Sequence, residues 1–130
     1  MSPSERARQV MTAARTDPAA AFQLAGWYHF GEEGLFQSPE LTFRWELRAA
    51  ELGYVDAQMN MAYKYSHGKG VAADDAAATA WYEKAAERGD RDAQYNLGVI
   101  LAQGHRTPQS YELAARWYQR AADRGHTGAM

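Results

Sequence analysis

The side chains best suited to acid–base or metal chemistry are histidines and carboxylates, so their spacing is examined first. The four histidines are His29, His67, His105 and His126. His67 and His105 lack a second ligating residue four positions away, which a zinc motif on a helix requires. The adjacent pairs Glu32–Glu33 and Asp74–Asp75 do not place an acid and a base on opposite sides of a substrate. We therefore predict no catalytic residue, no metal site and no cofactor.

The remaining motifs do not indicate an enzyme either. The short loops "GEEG" and "GKG" lack the strand-to-helix context of a phosphate-binding loop, and no serine has the surroundings of a nucleophile elbow. The chain has no cysteine, which excludes disulfides, thiolate metal ligands and a cysteine nucleophile. The sequence thus predicts a protein without catalytic activity.

Composition and charge narrow the class of partner. The 130 residues are 46% hydrophobic and 23% charged, which is typical of one soluble globular domain. The formal net charge is -2 and positive residues are interleaved with negative ones, so we expect no nucleic-acid partner. No run reaches the roughly 18 apolar residues of a membrane span, and the N-terminus lacks the apolar region of a secretory signal. We expect a cytoplasmic protein that does not bind membranes, or a periplasmic one if a signal has been removed.

The elements that position any functional side chain come from an internal repeat. Trp45, Trp81 and Trp117 are spaced 36 residues apart. Each tryptophan is followed by an alanine pair and then by a glycine, and these glycines are Gly53, Gly89 and Gly125. A repeat of this length is typical of stacked supersecondary units, which bury a continuous core only when neighbouring units are present.

The spacing within each copy predicts a pair of helices. Ala93, Leu97 and Leu101 recur with the helical period on one face of a first helix. Trp81 and Ala85 do the same on a second helix, and a segment rich in helix breakers separates the two. We therefore interpret the repeat tryptophans and glycines as structural. The rings fill the space between helix pairs, and the glycines adopt the left-handed conformation that ends the second helix.

This pattern resembles the Sel-1-like repeat, a relative of the tetratricopeptide repeat. Copy two carries the resemblance most fully, at Gly68, Gly70, Val71, Asp74, Trp81, Tyr82, Lys84, Ala85, Ala86, Gly89 and Asp90. Copy one departs from it at Glu46, which follows its tryptophan where the others have tyrosine, and copy three has Arg106 in place of a loop glycine. The resemblance covers about residues 19 to 130. It implies an all-α fold, an α-solenoid with a right-handed superhelix built from three helical hairpins.

The resemblance also sets the predicted domain organisation. We predict a single repeat domain over residues 1–130, with these parts: an N-terminal capping helix at 1–18, repeat 1 at 19–55, repeat 2 at 56–91, repeat 3 at 92–128 and the start of a further repeat at 129–130. The capping helix is predicted from an apolar stripe that includes Ala7, Val10 and Ala14.

The resemblance implies a protein-interaction module whose first helices line a concave face. The partner-binding residues predicted on that face are Gln23, Asn60, Asn96, Met59, Tyr63, Lys64, Tyr95 and Val99. In one interpretation the amides bind the backbone of a peptide or protein, and the apolar side chains form pockets for it. In the other, the amides bond neighbouring helices and the apolar side chains pack against the adjacent repeat. The first interpretation predicts an adaptor or scaffold.

Two alternatives stay open from the sequence. The chain is negatively charged and has acidic loops at 32–33 and 74–75, which suits an inhibitor or immunity-type protein that occludes a basic active site. Trp117 carries the pattern of an internal repeat although few residues follow it. That predicts either a homodimer through the C-terminal repeat or a longer parent array.

Overall fold

Helices account for all regular secondary structure in the computed structural model, which describes residues 3–104, 108–123 and 125. The helices in chain order are α1 (Glu5–Ala13), α2 (Pro18–Phe30), α3 (Pro39–Glu51), α4 (Val55–His67), α5 (Asp75–Glu87), α6 (Arg91–Gly104) and α7 (Pro108–Asp123). None of these helices is both long enough and apolar enough to cross a membrane. The predicted all-α repeat fold is confirmed.

Local capping signals explain where most helices begin. At the start of α1, α2, α3 and α5, a side-chain oxygen of the preceding residue accepts a hydrogen bond from a backbone N–H group; these residues are Ser4, Asp17, Ser38 and Asp74. Each bond satisfies an N–H group that a helix start leaves free. Pro18 and Pro39 open α2 and α3, where the fixed φ of proline suits the helix and its missing N–H has no cost. Helix α4 differs, because Tyr54 precedes it and makes no side-chain capping bond.

Glycines follow the ends of the second helices. Gly53, Gly89 and Gly125 have φ values of 100°, 94° and 87°, in the left-handed region that favours glycine. A Cβ atom at Gly53 would first meet the guanidinium end of the exposed Arg88 side chain, which can move aside. Gly53 is therefore needed for the conformation of the turn.

The helices pack in chain order, so that the hairpins α2–α3, α4–α5 and α6–α7 stack on one another and α1 packs on α2. The largest fully buried side chains are Leu24, Met61 and Leu97, one on each first helix at equivalent repeat positions. Two hydrophobic clusters result, and Trp81 packs against both. The repeat tryptophans Trp45, Trp81 and Trp117 are partly buried, at the margins of these clusters.

A buried glutamine joins each described pair of successive hairpins. Gln58 donates from Nε2 to the carbonyl oxygen of Ala50 at 3.1 Å, and Gln94 donates to Ala86 at 3.0 Å. Each bond connects the first turn of a first helix to the last turn of the preceding second helix. Each carbonyl also accepts a backbone hydrogen bond, from the N–H of Gly53 or Gly89, so the glutamine adds a second bond that links the two hairpins. These two glutamines were not predicted as contacts from the sequence, although they lie one repeat apart.

Helix α1 is fixed to the α2–α3 loop by Glu33. The Ser4 hydroxyl donates to Oε2 of Glu33 at 2.6 Å, and the Ser4 N–H donates to the Glu33 carbonyl at 2.8 Å. The Arg6 guanidinium lies 3.8 Å from the same carboxylate and 5.4 Å from the ring centroid of the buried Trp27. Glu33 itself has a φ of 58°, a left-handed conformation that side chains with a Cβ adopt rarely.

Candidate functional site

The amides of the predicted binding surface lie on three successive first helices. Gln23 on α2 and Asn60 on α4 are exposed, and Asn96 on α6 is partly buried. Within the part of the chain that the structure describes, none of these three amide groups makes a hydrogen bond. The interpretation in which they bond neighbouring helices therefore finds no support, and the inter-helix amides are Gln58 and Gln94 instead.

The apolar members of the surface divide into one exposed side chain and three partly buried ones. Tyr63 is 49% exposed, and its ring stacks on His67 with the centroids 4.1 Å apart. Met59, Val99 and Tyr95 are partly buried. Met59 packs against the hydrophobic cluster that includes Leu97. The Tyr95 ring lies 5.5 Å from that of Tyr118 on α7. Tyr63 can thus contact a partner directly, whereas Met59 and Tyr95 also stabilise the stack.

The Tyr118 ring on α7 packs beside Tyr95 and against Gly98 of α6. It fits there because α6 has glycine at position 98, where a Cβ atom would lie 2.9 Å from Cε1 of Tyr118. Burial, and secondarily the nearby Tyr95, raises the pKa of the Tyr118 hydroxyl.

Lys64 makes its contacts with the preceding hairpin. Its Nζ atom lies 2.6 Å from Oε2 of Glu46 on α3, and the two side chains are only 24% and 14% exposed. The same ammonium group lies 5.7 Å from the centroid of the Phe43 ring. The charge of Lys64 is therefore neutralised by an intramolecular ion pair. In this respect Lys64 differs from the exposed Asn60 and Tyr63.

An aromatic pair that the sequence analysis overlooked adjoins the first helices. Phe22 on α2 stacks on Tyr54 with ring centroids 4.8 Å apart. Asp90 stands one repeat later than Tyr54 and bonds to the N–H of Ala93. At position 54 the chain thus has an aromatic contact in place of a helix cap. The sequence signal for this contact is that Tyr54 stands where helices α1, α2, α3 and α5 have a serine or aspartate cap.

The residues considered for catalysis have structural contacts or lie apart. His67 Nδ1 is 3.0 Å from the carbonyl oxygen of Tyr63, one turn earlier on the same helix. The His29 ring contacts the Phe30 ring edge-on at 4.6 Å. Among the described residues, no three histidine, aspartate or glutamate side chains are grouped as a metal site requires. His105 and His126 lie outside the described residues, as do residues 129–130.

The acidic loops are only partly free. Glu33 is bound to Ser4 and Arg6, and Asp74 accepts the capping hydrogen bond from Ala77. Glu32 and Asp75 are exposed. Half of the acidic side chains expected to enter a basic cleft therefore have structural contacts.

Comparison with known families identifies the repeat. The Sel1 repeat family matches three consecutive segments, residues 18–54, 55–90 and 91–126. One curated relative, the chitin synthase regulator SKT5 of Saccharomyces cerevisiae, is 42% identical over 59 residues, which cover 45% of this chain and 8% of that protein. This chain thus matches only a small part of the length of that relative.

Solved structures with the same fold are found in several bacteria. A Sel1 repeat protein from Oxalobacter formigenes has a TM-score of 0.83 and 35% identity, covering 94% of this chain and 92% of that one. The protective antigen c5321 of uropathogenic Escherichia coli, which displays this repeat fold, has a TM-score of 0.76 and 31% identity, covering 95% of this chain and 26% of that one. The cysteine-rich protein B of Helicobacter pylori has a TM-score of 0.65 at 18% identity, covering 96% and 92% of the two chains. That last likeness concerns the fold alone.

Proposed function

The chain belongs to the Sel1 repeat family, and from this premise we propose that it is an adaptor or scaffold that binds a partner protein across its first helices, α2, α4 and α6. Sel1 repeats are generally non-catalytic modules for protein–protein interaction. The partner contributes an extended peptide or a protein loop that runs across successive repeats. The cytoplasmic location expected from the sequence is part of this proposal.

One observation carries the proposal most strongly. The amides of Gln23, Asn60 and Asn96 recur once per repeat and make no hydrogen bond within the described residues. A side-chain amide both donates and accepts hydrogen bonds, which matches the alternating N–H and C=O groups of an extended backbone. A row of such amides at a fixed spacing can hold a peptide in register without selecting its side chains.

Selectivity comes from the aromatic side chain beside this row. Tyr63 combines a large apolar ring with a hydroxyl group and is held by stacking on His67, so that little side-chain freedom is lost when a partner binds. Met59 lies on the same helix and offers an adaptable apolar contact. We expect the partner segment to place an apolar side chain against this pair.

Affinity capture from a lysate of the native cells tests the proposal. The bait is the wild-type chain or the double variant Asn60→Ala/Tyr63→Ala, in which both substitutions remove exposed side chains. The control is Tyr111→Ala, which removes a tyrosine of similar exposure from α7. We expect the double variant to lose the protein that the wild type and the control both recover. Recovery of the same protein by all three baits would exclude the first-helix face as its binding surface.

The inhibitor alternative has less support. Glu33 and Asp74 have structural contacts, which leaves Glu32 and Asp75 as exposed acidic residues in these loops. In the same capture experiment, Glu32→Ala/Asp75→Ala would lose an enzyme bound through these loops. Under the adaptor proposal this variant recovers the same partner as the wild type.

A homodimer through the C-terminal repeat is a separate part of the proposal. Leu113 on α7 is 41% exposed, whereas Leu41 and Ala77 at the equivalent positions of α3 and α5 are less exposed. Helices α4 and α6 pack against α3 and α5. We propose that a second copy covers the face of α7 that includes Leu113 and Trp117.

A further inference from the structure

An open cavity of about 520 Å³ lies between α3, the end of α4 and the loop that follows it. Pro39, Phe43 and Leu47 form its apolar wall. Two cationic side chains line it as well, Arg44 from α3 and Lys69 from the loop after α4. The cavity therefore combines apolar surface with positive charge.

The next repeat has an equivalent cavity of different character. It measures about 300 Å³, and its lining includes Thr79 and Ile100. These residues lie one repeat after Phe43 and Lys64. The fold thus produces a recess at each of these two junctions, and the side chains of the first repeat make its recess larger and more basic.

The departure of repeat one from the family pattern is concentrated beside this cavity. Glu46 stands where the later repeats have Tyr82 and Tyr118, and it pairs with Lys64, which stands where repeat three has Ile100. A largely buried ion pair stabilises less than an apolar pair of similar volume because both charges lose water. Breaks in a consistent sequence pattern occur where function constrains the residue.

The charges around the cavity favour an anionic ligand. Glu46 neutralises Lys64, but Arg44 and Lys69 are exposed and make no ion pair within the described residues. Glu40 is the carboxylate among the lining residues. Two unpaired cations beside one carboxylate leave a net positive surface, which attracts carboxylate groups.

Two exposed aromatic side chains belong to segments next to His29, which lines the cavity. The rings of Phe30 and Phe36 are 67% and 78% exposed. Phe30 contacts His29, which lines the cavity. The Gln37 side chain donates to the His29 carbonyl at 3.1 Å, which holds the segment bearing Phe36 next to the same helix end. An apolar side chain of a ligand has large surfaces to cover here.

We propose that this cavity is a second docking site, which binds an acidic, apolar segment of a partner protein. Carboxylates of the segment pair with Arg44 and Lys69, and its apolar side chains pack on Phe43 and Leu47. The proposal goes beyond the first-helix surface, since Lys64 is the one predicted surface residue that lines the cavity. It assigns a role to the basic first recess that the second recess, which has Asp75 in its lining, does not share.

Selection of peptides from a random display library on the wild-type chain tests the proposal. Synthetic fluorescein-labelled copies of the recovered peptides are then measured by fluorescence anisotropy. We expect recovered peptides to be enriched in aspartate and glutamate next to large apolar residues. Arg44→Glu/Lys69→Glu should weaken their binding at least about tenfold. The control Arg8→Glu/Arg116→Glu changes the net charge equally at exposed positions elsewhere and should leave binding unchanged.

Several outcomes would overturn the second docking site. These are an absence of recovered peptides, peptides without an excess of carboxylates, and equal binding to the wild type and to Arg44→Glu/Lys69→Glu. Peptides whose binding falls in Tyr63→Ala but not in Arg44→Glu/Lys69→Glu would overturn the cavity and support the first-helix surface. The reverse pattern supports the cavity alone. Circular dichroism melting of each variant verifies that the fold is retained.

Discussion

At the level of single residues, the ion pair of Lys64 with Glu46 gives the clearest energetic prediction. In Glu46→Ala the largely buried ammonium group loses its partner, so we expect the free energy of unfolding to fall by about 2 kcal/mol or more. The double variant Glu46→Tyr/Lys64→Ile restores the pattern of the later repeats and should lie within about 1 kcal/mol of the wild type. Urea unfolding measures both changes. A double variant as unstable as Glu46→Ala would contradict this account.

Tyr82 gives the protein a predicted dependence on alkaline pH. Burial raises the pKa of Tyr82 above its ordinary value of 10.0. Above that value the unfolded chain releases a proton that the folded protein retains, so stability falls as the pH rises toward the folded-state pKa. The slope for one proton is at most about 1.4 kcal/mol per pH unit. Well below pH 10.0, Tyr82 is protonated in both the folded and the unfolded chain, so it does not make stability depend on pH there.

Tyr82→Phe isolates this contribution because it keeps the ring and removes the hydroxyl. Urea unfolding across the alkaline range should show a shallower loss of stability in Tyr82→Phe than in the wild type, with the remainder including Tyr118. Tyr63→Phe, which alters an exposed hydroxyl, is the control. Identical slopes in the wild type and Tyr82→Phe would contradict the prediction.

At the level of helices, the buried glutamines stabilise the junctions between hairpins. Gln94→Leu removes one of the hydrogen bonds that the Ala86 carbonyl accepts, while the Gly89 N–H still donates to it, and we expect a loss of about 1 kcal/mol. The loss stays moderate because Oε1 of Gln94 is itself buried without a partner in the described structure. Gln23→Leu alters an exposed amide and should change stability by less than about 0.5 kcal/mol. Equal effects of the two variants in urea unfolding would argue against a junction role for Gln94.

The helices were predictable because their signals are local. Apolar spacing, capping side chains and glycines with positive φ each act within a few residues, and the repeat shows the same set of signals three times. The anchoring of α1 was less accessible. The bonds between Ser4 and Glu33 join positions 29 residues apart, and they form only because α1 lies against the α2–α3 loop. The sequence therefore suggested a free acidic loop where the structure has a bound carboxylate.

At the level of the whole molecule, the exposed face of α7 predicts self-association. We expect light scattering to give a mass near twice 14.5 kDa for the wild type. Leu113→Glu places a charge on the exposed face and should shift the mass to that of the monomer. Glu112→Lys, at a neighbouring exposed position, is the control. A wild-type monomer at every concentration tested would contradict the homodimer.

The candidate site was only partly predictable at this scale. The repeat indicated which positions share a face of the first helices, and these include Gln23, Asn60 and Asn96. It did not indicate which of these side chains make contacts with neighbouring helices. Lys64 contacts Glu46, and Tyr95 contacts Tyr118, only because the helices pack together. The basic cavity arises from two successive hairpins. Its lining residues come from several helices and a loop, so no single stretch of sequence shows them together.

The central proposal is that the first helices, α2, α4 and α6, bind a partner protein. Photo-crosslinking in the native cells tests it most directly, with p-benzoylphenylalanine in place of Tyr63 and, as the control, in place of Tyr111. Irradiation should link a second, different protein to the chain through position 63 and not through position 111. A crosslinked partner through position 111 alone, or none through position 63, would contradict it.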